Sequence, residues 1–216
     1  MNNIDPSIST DMEQRYTERY LKLGRDIKTL GWGNKTQQES RFEQTLSTGL
    51  TFLNKNILDI GCGFGDYYHF LKKSQMAFNT YSGYDLNPHL IKEARLHAGD
   101  SPDCTFYVEN VLDSPTRTQY DIGLMLGVCN VNLHQRLDNY NYVEEVIARA
   151  FERVSEALIV DFLSTAHVDS YPQEDFVFYY RPSKILKMAL NLTRDVVLNH
   201  SYAPLPQKEF MLILKK

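Results

Sequence analysis

Short apolar runs alternate with amphipathic segments through the middle of the chain. The runs typical of buried strands cover residues 56–60, 80–84, 105–108, 121–126 and 157–162. The segments between them with helical periodicity cover residues 67–73, 88–97 and 142–153. Strands that alternate with helices across short connections form a parallel, doubly wound sheet, so the sequence predicts an α/β fold.

The pattern changes after the fifth strand. A helix is predicted over residues 183–190, followed by two further strand-like runs over residues 195–200 and 209–214. Two strands joined by so short a connection pair antiparallel, because a parallel pair needs a long crossover. We therefore expect a seven-stranded sheet, mostly parallel, that ends in a C-terminal antiparallel hairpin.

The first 35 residues are polar but carry one apolar stripe. Met12, Tyr16 and Tyr20 recur four residues apart, as on one side of a helix. Gly24 is suited to end that helix, and a second helix is predicted from Thr36 to about residue 50. A helix with one apolar side must bury that side, and residues 36–216 already complete the predicted sheet. We expect residues 1–35 to form a helical lid over the ligand-binding cleft, with residues 36–216 as the main domain.

Composition places the chain among ordinary globular domains. Of its 216 residues, 43% are hydrophobic and 12% are aromatic, which excludes a disordered chain. The net charge is −4 without a dense run of Lys or Arg, so we expect no nucleic-acid partner. No apolar run reaches the ~18–20 residues of a membrane span, and the polar N-terminus is unlike a signal peptide. We therefore expect a cytoplasmic protein without membrane association. The three cysteines are too scattered for a disulfide framework or a zinc module, so no metal is expected.

Candidate chemistry is concentrated where the first strand ends. The sequence there is Asp59-Ile-Gly61-Cys62-Gly63-Phe-Gly65-Asp66. Glycines let the backbone approach a ligand closely, and the helix that follows presents free N–H groups at its start. Asp85 ends the next strand, about 20 positions beyond the last glycine, where a doubly wound fold places a carboxylate that accepts hydrogen bonds from both ribose hydroxyls.

The glycine spacing separates two cofactors. A dinucleotide fingerprint reads G-x-G-x-x-G, whereas these glycines fall at positions 61, 63 and 65. Asp59 and Asp66 flank the loop, and their charges would repel a pyrophosphate but attract a ligand that carries an ammonium and a sulfonium. The sequence therefore favours S-adenosylmethionine (SAM), with S-adenosylhomocysteine (SAH) as its product, over NAD.

These motifs resemble those of the class I SAM-dependent methyltransferases. The likeness covers about residues 55–162: the glycine loop, Gly83-Tyr-Asp85-Leu-Asn-Pro88, Phe106-Tyr-Val-Glu-Asn110-Val111 and Tyr120-Asp-Ile-Gly-Leu-Met-Leu-Gly127. The C-terminal hairpin is similar to the family's last two strands. The chain is also similar to small bacterial methyltransferase-domain proteins in an upstream block, Leu30-Gly-Trp-Gly33…Gln38…Arg41-Phe42, and at the end of the fifth strand, Asp161-Phe-Leu-Ser-Thr165.

The resemblance implies a Rossmann-like fold and roles for individual residues. Asp59 contacts the cofactor, Asp85 holds the ribose, Asn110 meets the adenine amine, and Leu86 and Val111 pack against the adenine. Asp85 has an alternative role as a cap of the next helix. The other predicted cofactor-binding residues are Trp32, Arg41, Gly61, Cys62, Gly63, Gly65 and Gly127. Arg41 is expected to hold the methionine carboxylate, and its alternative is a solvated position on a helix.

The segment after the fourth strand is expected to face the methyl acceptor. Amino-methylating enzymes that act on nucleobases or amides often carry Asn/Asp-Pro-Pro-Tyr/Phe there, whereas this chain has Asn130-Val-Asn-Leu. The missing prolines argue against methylation of adenine N6, cytosine N4 or glutamine N5. His134 is a weak candidate for a general base, because the unperturbed pKa of histidine is near neutrality.

The leading hypothesis is methyl transfer from SAM to an oxygen or nitrogen of a small molecule. One alternative is an RNA or protein methyltransferase of the same fold, which the acidic charge disfavours. Another is a SAM- or nucleotide-binding module without turnover, because binding and turnover use different residues. A NAD-dependent oxidoreductase is disfavoured by the glycine spacing.

Overall fold

The computed structural model describes residues 5–113, 119–134, 136–166, 174–201 and 208–216. Its strands are β1 (Asn56–Ile60), β2 (Thr80–Asp85), β3 (Cys104–Val108), β4 (Tyr120–Met125), β5 (Val154–Leu163), β6 (Asp195–Asn199) and β7 (Glu209–Lys215). Its α-helices are α1 (Ser7–Leu23), α2 (Lys35–Leu46), α3 (Asp66–Lys73), α4 (Pro88–Ala98), α5 (Asn139–Glu152) and α6 (Pro182–Leu192). A short 3₁₀ helix (Ile27–Leu30), which the sequence pattern did not predict, lies between α1 and α2.

The strands form one seven-stranded sheet in the order β3-β2-β1-β4-β5-β7-β6. The pairs among β1 to β5 are parallel, and β7 pairs antiparallel with both β5 and β6. The predicted α/β fold, with its mostly parallel sheet and C-terminal antiparallel hairpin, is confirmed. The carboxyl ends of β1, β2 and β4 therefore meet at one edge, where a doubly wound sheet binds its ligand.

Helices cover both faces of the sheet and bury two apolar clusters. One cluster packs α5, α6 and the start of α1 against one face, and the other packs α2, α3 and α4 against the opposite face. Neighbours along β5 point to opposite faces: Leu158 and Val160 join the first cluster, whereas Ile159 joins the second. Both faces of β5 are buried from Ala157 to Val160, which explains why this part of the strand is apolar without interruption.

Helix α1 is held against the segments that follow the parallel strands. The amide of Asn87, just after β2, donates to the Glu13 carbonyl at 3.0 Å and to the Thr17 hydroxyl at 2.8 Å. The Tyr20 hydroxyl donates to Glu93 on α4 at 2.6 Å. These bonds fix α1 across the ligand-binding edge of the sheet. Within the described ranges, no helix is both long and apolar enough to cross a membrane.

Candidate active site

The glycine loop between β1 and α3 is tied directly to the end of β2. The N–H of Gly61 donates to the Tyr84 carbonyl at 2.7 Å, and the N–H of Gly63 donates to Oδ2 of Asp85 at 3.0 Å. Gly63 has a φ of +55°, and a Cβ there would lie 2.9 Å from Cδ2 of Leu30. Only glycine combines this left-handed backbone with so close a neighbour, so the loop keeps its shape against the 3₁₀ helix.

A cavity of about 140 Å³, here called the larger cavity, lies over this loop and under α1. The predicted cofactor-binding residues that line it are Trp32, Asp59, Gly61, Cys62, Gly63, Asp85, Leu86, Asn110, Val111 and Gly127. Helix α1 contributes Met12, Glu13 and Tyr16 to the same lining. The predicted residues come from five separate parts of the sequence, and α1 adds a sixth.

The larger cavity is acidic. Its lining includes five carboxylates, those of Glu13, Asp59, Asp66, Asp85 and Glu109, and its described lining contains no Lys, Arg or His. Concentrated negative charge attracts a cationic ligand and repels a phosphorylated one. The lining therefore fits SAM, which carries a sulfonium and an ammonium, and does not fit the pyrophosphate of NAD.

Asp59 lies at the bottom of the larger cavity and is almost fully buried. Burial is the main reason that the pKa of the Asp59 carboxyl group is raised to about 7, and the negative charge of Asp85 raises this pKa further. The hydrogen bond that the Tyr81 hydroxyl donates to Asp59 acts in the opposite direction and lowers the pKa. A buried carboxylate of this kind is stabilised when a cation binds beside it.

Asp85 lines the larger cavity and does not itself cap α4. The cap is Asn87, whose side chain accepts from the N–H groups of His89 at 2.9 Å and Leu90 at 3.2 Å. Each Asp85 oxygen accepts one backbone N–H, from Gly63 and from Asn87. Burial raises the pKa of Asp85 to about 6, while these two hydrogen bonds lower it.

Asn110 is held at the rim of the larger cavity by two neighbours. Its amide nitrogen donates to Oδ2 of Asp113 at 2.7 Å and to the hydroxyl of Ser9 on α1 at 3.2 Å. Its oxygen accepts the N–H of Leu112 at 3.0 Å. The side chain therefore links the end of β3 to α1.

Arg41 differs from its predicted place beside a ligand carboxylate. Its guanidinium lies outside the larger cavity, is buried, and donates to both oxygens of Glu209, with Nε 2.7 Å from Oε2. Nε of Arg41 also lies 3.5 Å from Oδ2 of Asp161. The guanidinium carbon lies 4.2 Å from the centroid of the Trp32 ring. Arg41 thus supports Trp32, which packs on Gly127 so closely that a Cβ there would lie 2.9 Å from the indole.

Two other predicted residues also lie away from the larger cavity. A Cβ on Gly65 would meet the Phe106 ring at 2.8 Å, so this glycine allows close packing behind the loop. His134 is exposed with a φ of +48° and lines neither described cavity. Its place in the structure gives no support to the general-base hypothesis. The described residues contain no group of three or more His, Cys, Asp or Glu arranged to hold a metal.

Several polar residues of this region had no predicted role. Gln38 donates to Oδ2 of Asp66 at 3.0 Å, and Asp161 accepts the N–H of Gly127. Asp161 and Glu209 are charged residues within apolar strand runs, and such residues are buried only when they are paired. That sequence signal could have predicted a buried cationic partner, which is Arg41.

A smaller cavity of about 90 Å³ adjoins the larger one. The residues that line both are Tyr16, Leu30, Trp32, Gly127 and Val131. Two ligands bound in these cavities would therefore contact the same five residues.

Residues 58–158 match the family model of the methyltransferase domain. That range contains the glycine loop, Asp85 and Asn110, so the similarity to a methyltransferase domain includes the candidate site. No curated protein sequence matches the chain significantly.

Solved methyltransferases share the fold at low sequence identity. The SAH complex of magnesium protoporphyrin IX methyltransferase from Synechocystis PCC 6803 is 15% identical, with a TM-score of 0.69 and coverage of 98% of this chain and 100% of that one. The SAH complex of the N-methyltransferase NodS from Bradyrhizobium japonicum WM9 is 15% identical, with a TM-score of 0.60 and coverage of 94% and 98%. The small RNA methyltransferase HEN1 is 18% identical, with a TM-score of 0.62 and coverage of 85% of this chain and 26% of that one.

Proposed function

We propose that this protein is a SAM-dependent methyltransferase, which transfers a methyl group from SAM to an oxygen or nitrogen of a small molecule. The observation that carries the proposal is the smaller cavity, which adjoins the larger one and has a volume of only about 90 Å³. Helix α1 and the turn at Trp32 contribute to its walls. A space of this size suits a small acceptor better than a folded RNA or a protein.

In this proposal the larger cavity holds SAM, which when bound supplies an electrophilic methyl group on a positively charged sulfur. Asp85 accepts the ribose hydroxyls, Leu86 and Val111 pack against the adenine, and Asn110 meets the adenine amine. Asp59 contributes the negative charge that favours a cationic ligand. The support for these roles is that the side chains of all five line one acidic cavity.

Residues 1–35 act as a lid in the same proposal. Met12, Glu13 and Tyr16 line the larger cavity from α1, and Asn87 and Asn110 bond α1 to the strand ends. A closed lid excludes water and holds the acceptor in position, which supplies most of the rate enhancement for an intrinsically reactive methyl donor. The proposal also retains a cytoplasmic location, which is consistent with three free cysteines.

RNA and protein acceptors are the second possibility, and the likeness to HEN1 extends to the fold alone. A net charge of −4 disfavours a polyanionic acceptor. The test is to incubate the protein with SAM labelled in the methyl group and a fractionated bacterial extract. Label in the small-molecule fraction supports the proposal, whereas label in RNA or protein contradicts it. Tight SAH binding without transfer to any fraction would indicate a non-catalytic module.

A further inference from the structure

The two adjoining cavities carry opposite charge. Among the described residues, the larger cavity is lined by five carboxyl groups, whereas the smaller one is lined by three arginines, Arg15, Arg19 and Arg41, and a single acid, Glu174. Because the chain as a whole has a net charge of −4, this cluster of arginines runs against the overall composition. A local excess of positive charge in a cavity favours an anionic ligand.

Two of these arginines have no acidic partner in the described part of the chain. Arg15 and Arg19 form no ion pair there, in contrast to Arg41 with Glu209 and Asp161. Arg19 donates to the backbone carbonyls of Thr29, at 2.9 Å, and Lys28. The charges of Arg15 and Arg19 are therefore not neutralised, and their spacing of four residues on α1 places both on one side of that helix.

Arg41 adds an unused hydrogen-bond donor to the wall of the smaller cavity. Its side chain is only 6% exposed, and its Nη1 has no hydrogen-bond partner among the described residues, whereas its other nitrogens bond Glu209. A buried donor without a partner destabilises a protein, so it is commonly satisfied by a water or a ligand.

Six apolar side chains also form part of this wall. Trp32, Phe176, Val177, Val131, Leu30 and Leu163 line the smaller cavity. The Arg15 guanidinium lies over the Phe176 ring, 5.6 Å from its centroid, which orients the charge next to an aromatic surface. A matching ligand combines one anionic group with an apolar body.

We propose that the smaller cavity is the acceptor site and that it selects a small molecule with a carboxylate or phosphonate-like anion and an apolar or aromatic body. Arg15 and Arg19 hold the anion, Arg41 supplies a further hydrogen bond, and Trp32 and Phe176 contact the apolar body. This inference rests on the proposed methyltransferase function, because it assigns the acceptor class for that reaction.

The test uses the full chain saturated with SAH and four probes that share a phenyl ring. Phenylacetate and phenylphosphonate are anionic, phenylacetamide is neutral, and phenethylamine is cationic. Trp32 is the single tryptophan and lines both cavities, so its fluorescence reports binding, with ligand-observed NMR as the second measurement. We expect both anions to bind at least about tenfold more tightly than the amide and the amine, as for a charge-assisted hydrogen bond. The tighter anion identifies the acidic group.

Variants on α1 separate the charge effect from folding. Arg15→Gln should weaken phenylacetate binding by about tenfold while SAH affinity stays unchanged. Lys22→Gln is the matched control, because Lys22 is exposed on the same helix and lines neither described cavity. Equal binding of all four probes, or unchanged phenylacetate binding in Arg15→Gln, would overturn the inference. Failure of the parent chain to bind SAH would instead contradict the methyltransferase function itself.

Discussion

Arg41 and Glu209 are 168 positions apart in the chain and form a buried, two-point ion pair, with Nε of Arg41 2.7 Å from Oε2 of Glu209. Asp161 lies 3.5 Å from the same guanidinium and accepts the N–H of Gly127. Burial raises the pKa of Glu209 to about 7 although Arg41 lowers it. The pair joins α2 to β7, and Asp161 adds β5 to the same cluster. The cluster lies beside Trp32, which lines both cavities.

Loss of this cation should destabilise the protein strongly. Arg41→Met leaves two buried carboxyl groups without a positive partner, and the free energy of unfolding should fall by about 3–5 kcal/mol at pH 8. Below pH 6 the loss should be smaller, because protonation neutralises the orphaned carboxyl groups. Denaturant unfolding at both pH values measures this. Lys72→Met breaks the half-exposed pair with Asp103 and should cost less than about 1 kcal/mol, so similar losses for the two variants would contradict the prediction.

Replacement of Asp85 should weaken cofactor binding. Asp85→Ala removes the carboxylate that is proposed to accept hydrogen bonds from both ribose hydroxyls of SAM. Because the energies of two such bonds do not add simply, we expect SAM affinity, measured by calorimetry, to fall by about tenfold to a thousandfold. Asp138→Ala is the control, because Asp138 caps α5 by accepting from Tyr140 and Asn141 and lines neither described cavity. The control should lower stability by about 1 kcal/mol and leave affinity unchanged. Parental affinity in Asp85→Ala would mean that this carboxylate only organises the backbone.

SAM affinity should increase with pH. The pKa values of about 7 for Asp59 and about 6 for Asp85 mean that both carboxyl groups are mostly protonated at pH 5 and ionised at pH 8. Since SAM carries a net positive charge, its affinity should rise by about tenfold or more over this interval, and that of SAH, which lacks the sulfonium, by less. Asp59→Asn should flatten the upper part of the profile. A flat profile for the parent chain would contradict the assignment.

The stability of the ligand-free protein should follow the opposite trend. In the folded protein, the pKa values of Asp59 and Asp85 are raised above the ordinary value of 3.8. The folded state therefore binds protons more tightly than the unfolded state, and this stabilises the fold only while the two groups are protonated. That contribution is complete below about pH 4 and is lost as the pH rises through about 6 to 7. Thermal unfolding with and without SAM should therefore show a larger ligand-induced shift at pH 8 than at pH 5.

A methyl group at Gly127 should displace Trp32. Gly127 has a φ of +78°, and a Cβ there would lie 2.9 Å from the indole, so Gly127→Ala should lower both stability and SAM affinity. Gly49 has a φ of +77° with no atom near the Cβ position, so Gly49→Ala carries the same backbone strain without the collision. Equal loss of SAM affinity in both variants would show that Trp32 has no part in binding.

The lid proposal is tested by a chain that begins at Thr36. It should remain folded because the seven strands are retained, and it should bind SAM more weakly because Met12, Glu13 and Tyr16 are missing from the cavity wall. Circular dichroism checks the fold and calorimetry measures the affinity. Full SAM affinity together with full methyl transfer would rule out a lid.

Local features of the sequence predicted most of the fold and the place of the glycine loop. The predicted limits of β1 are those observed, because a polar segment and the glycine loop bound its apolar run. Gly63 and Asp85 were predicted because the loop and the end of β2 keep a fixed spacing in this fold. These features depend on neighbours in the chain or on a standard crossover.

Features that depend on distant partners were not predicted. The 3₁₀ helix is stabilised by Asp26, which accepts the Lys28 N–H at 2.8 Å, and by Arg19, which donates to Thr29. Arg41 was expected to hold a ligand carboxylate from its place on the helix before β1, and its partner Glu209, 168 positions away, was not foreseen. Periodicity reports which side of an element is buried, but it does not report which residue lies opposite.

Strand β7 follows β6 in the chain but lies between β5 and β6 in the sheet. A nascent polypeptide synthesised only as far as residue 200 therefore has β6 without a neighbouring strand and β5 with an open edge. Such an edge can pair with other unfinished chains on the same messenger RNA. Completion of the sheet during translation thus depends on the emergence of residues 209–215, and a pause before them would expose the nascent protein to aggregation.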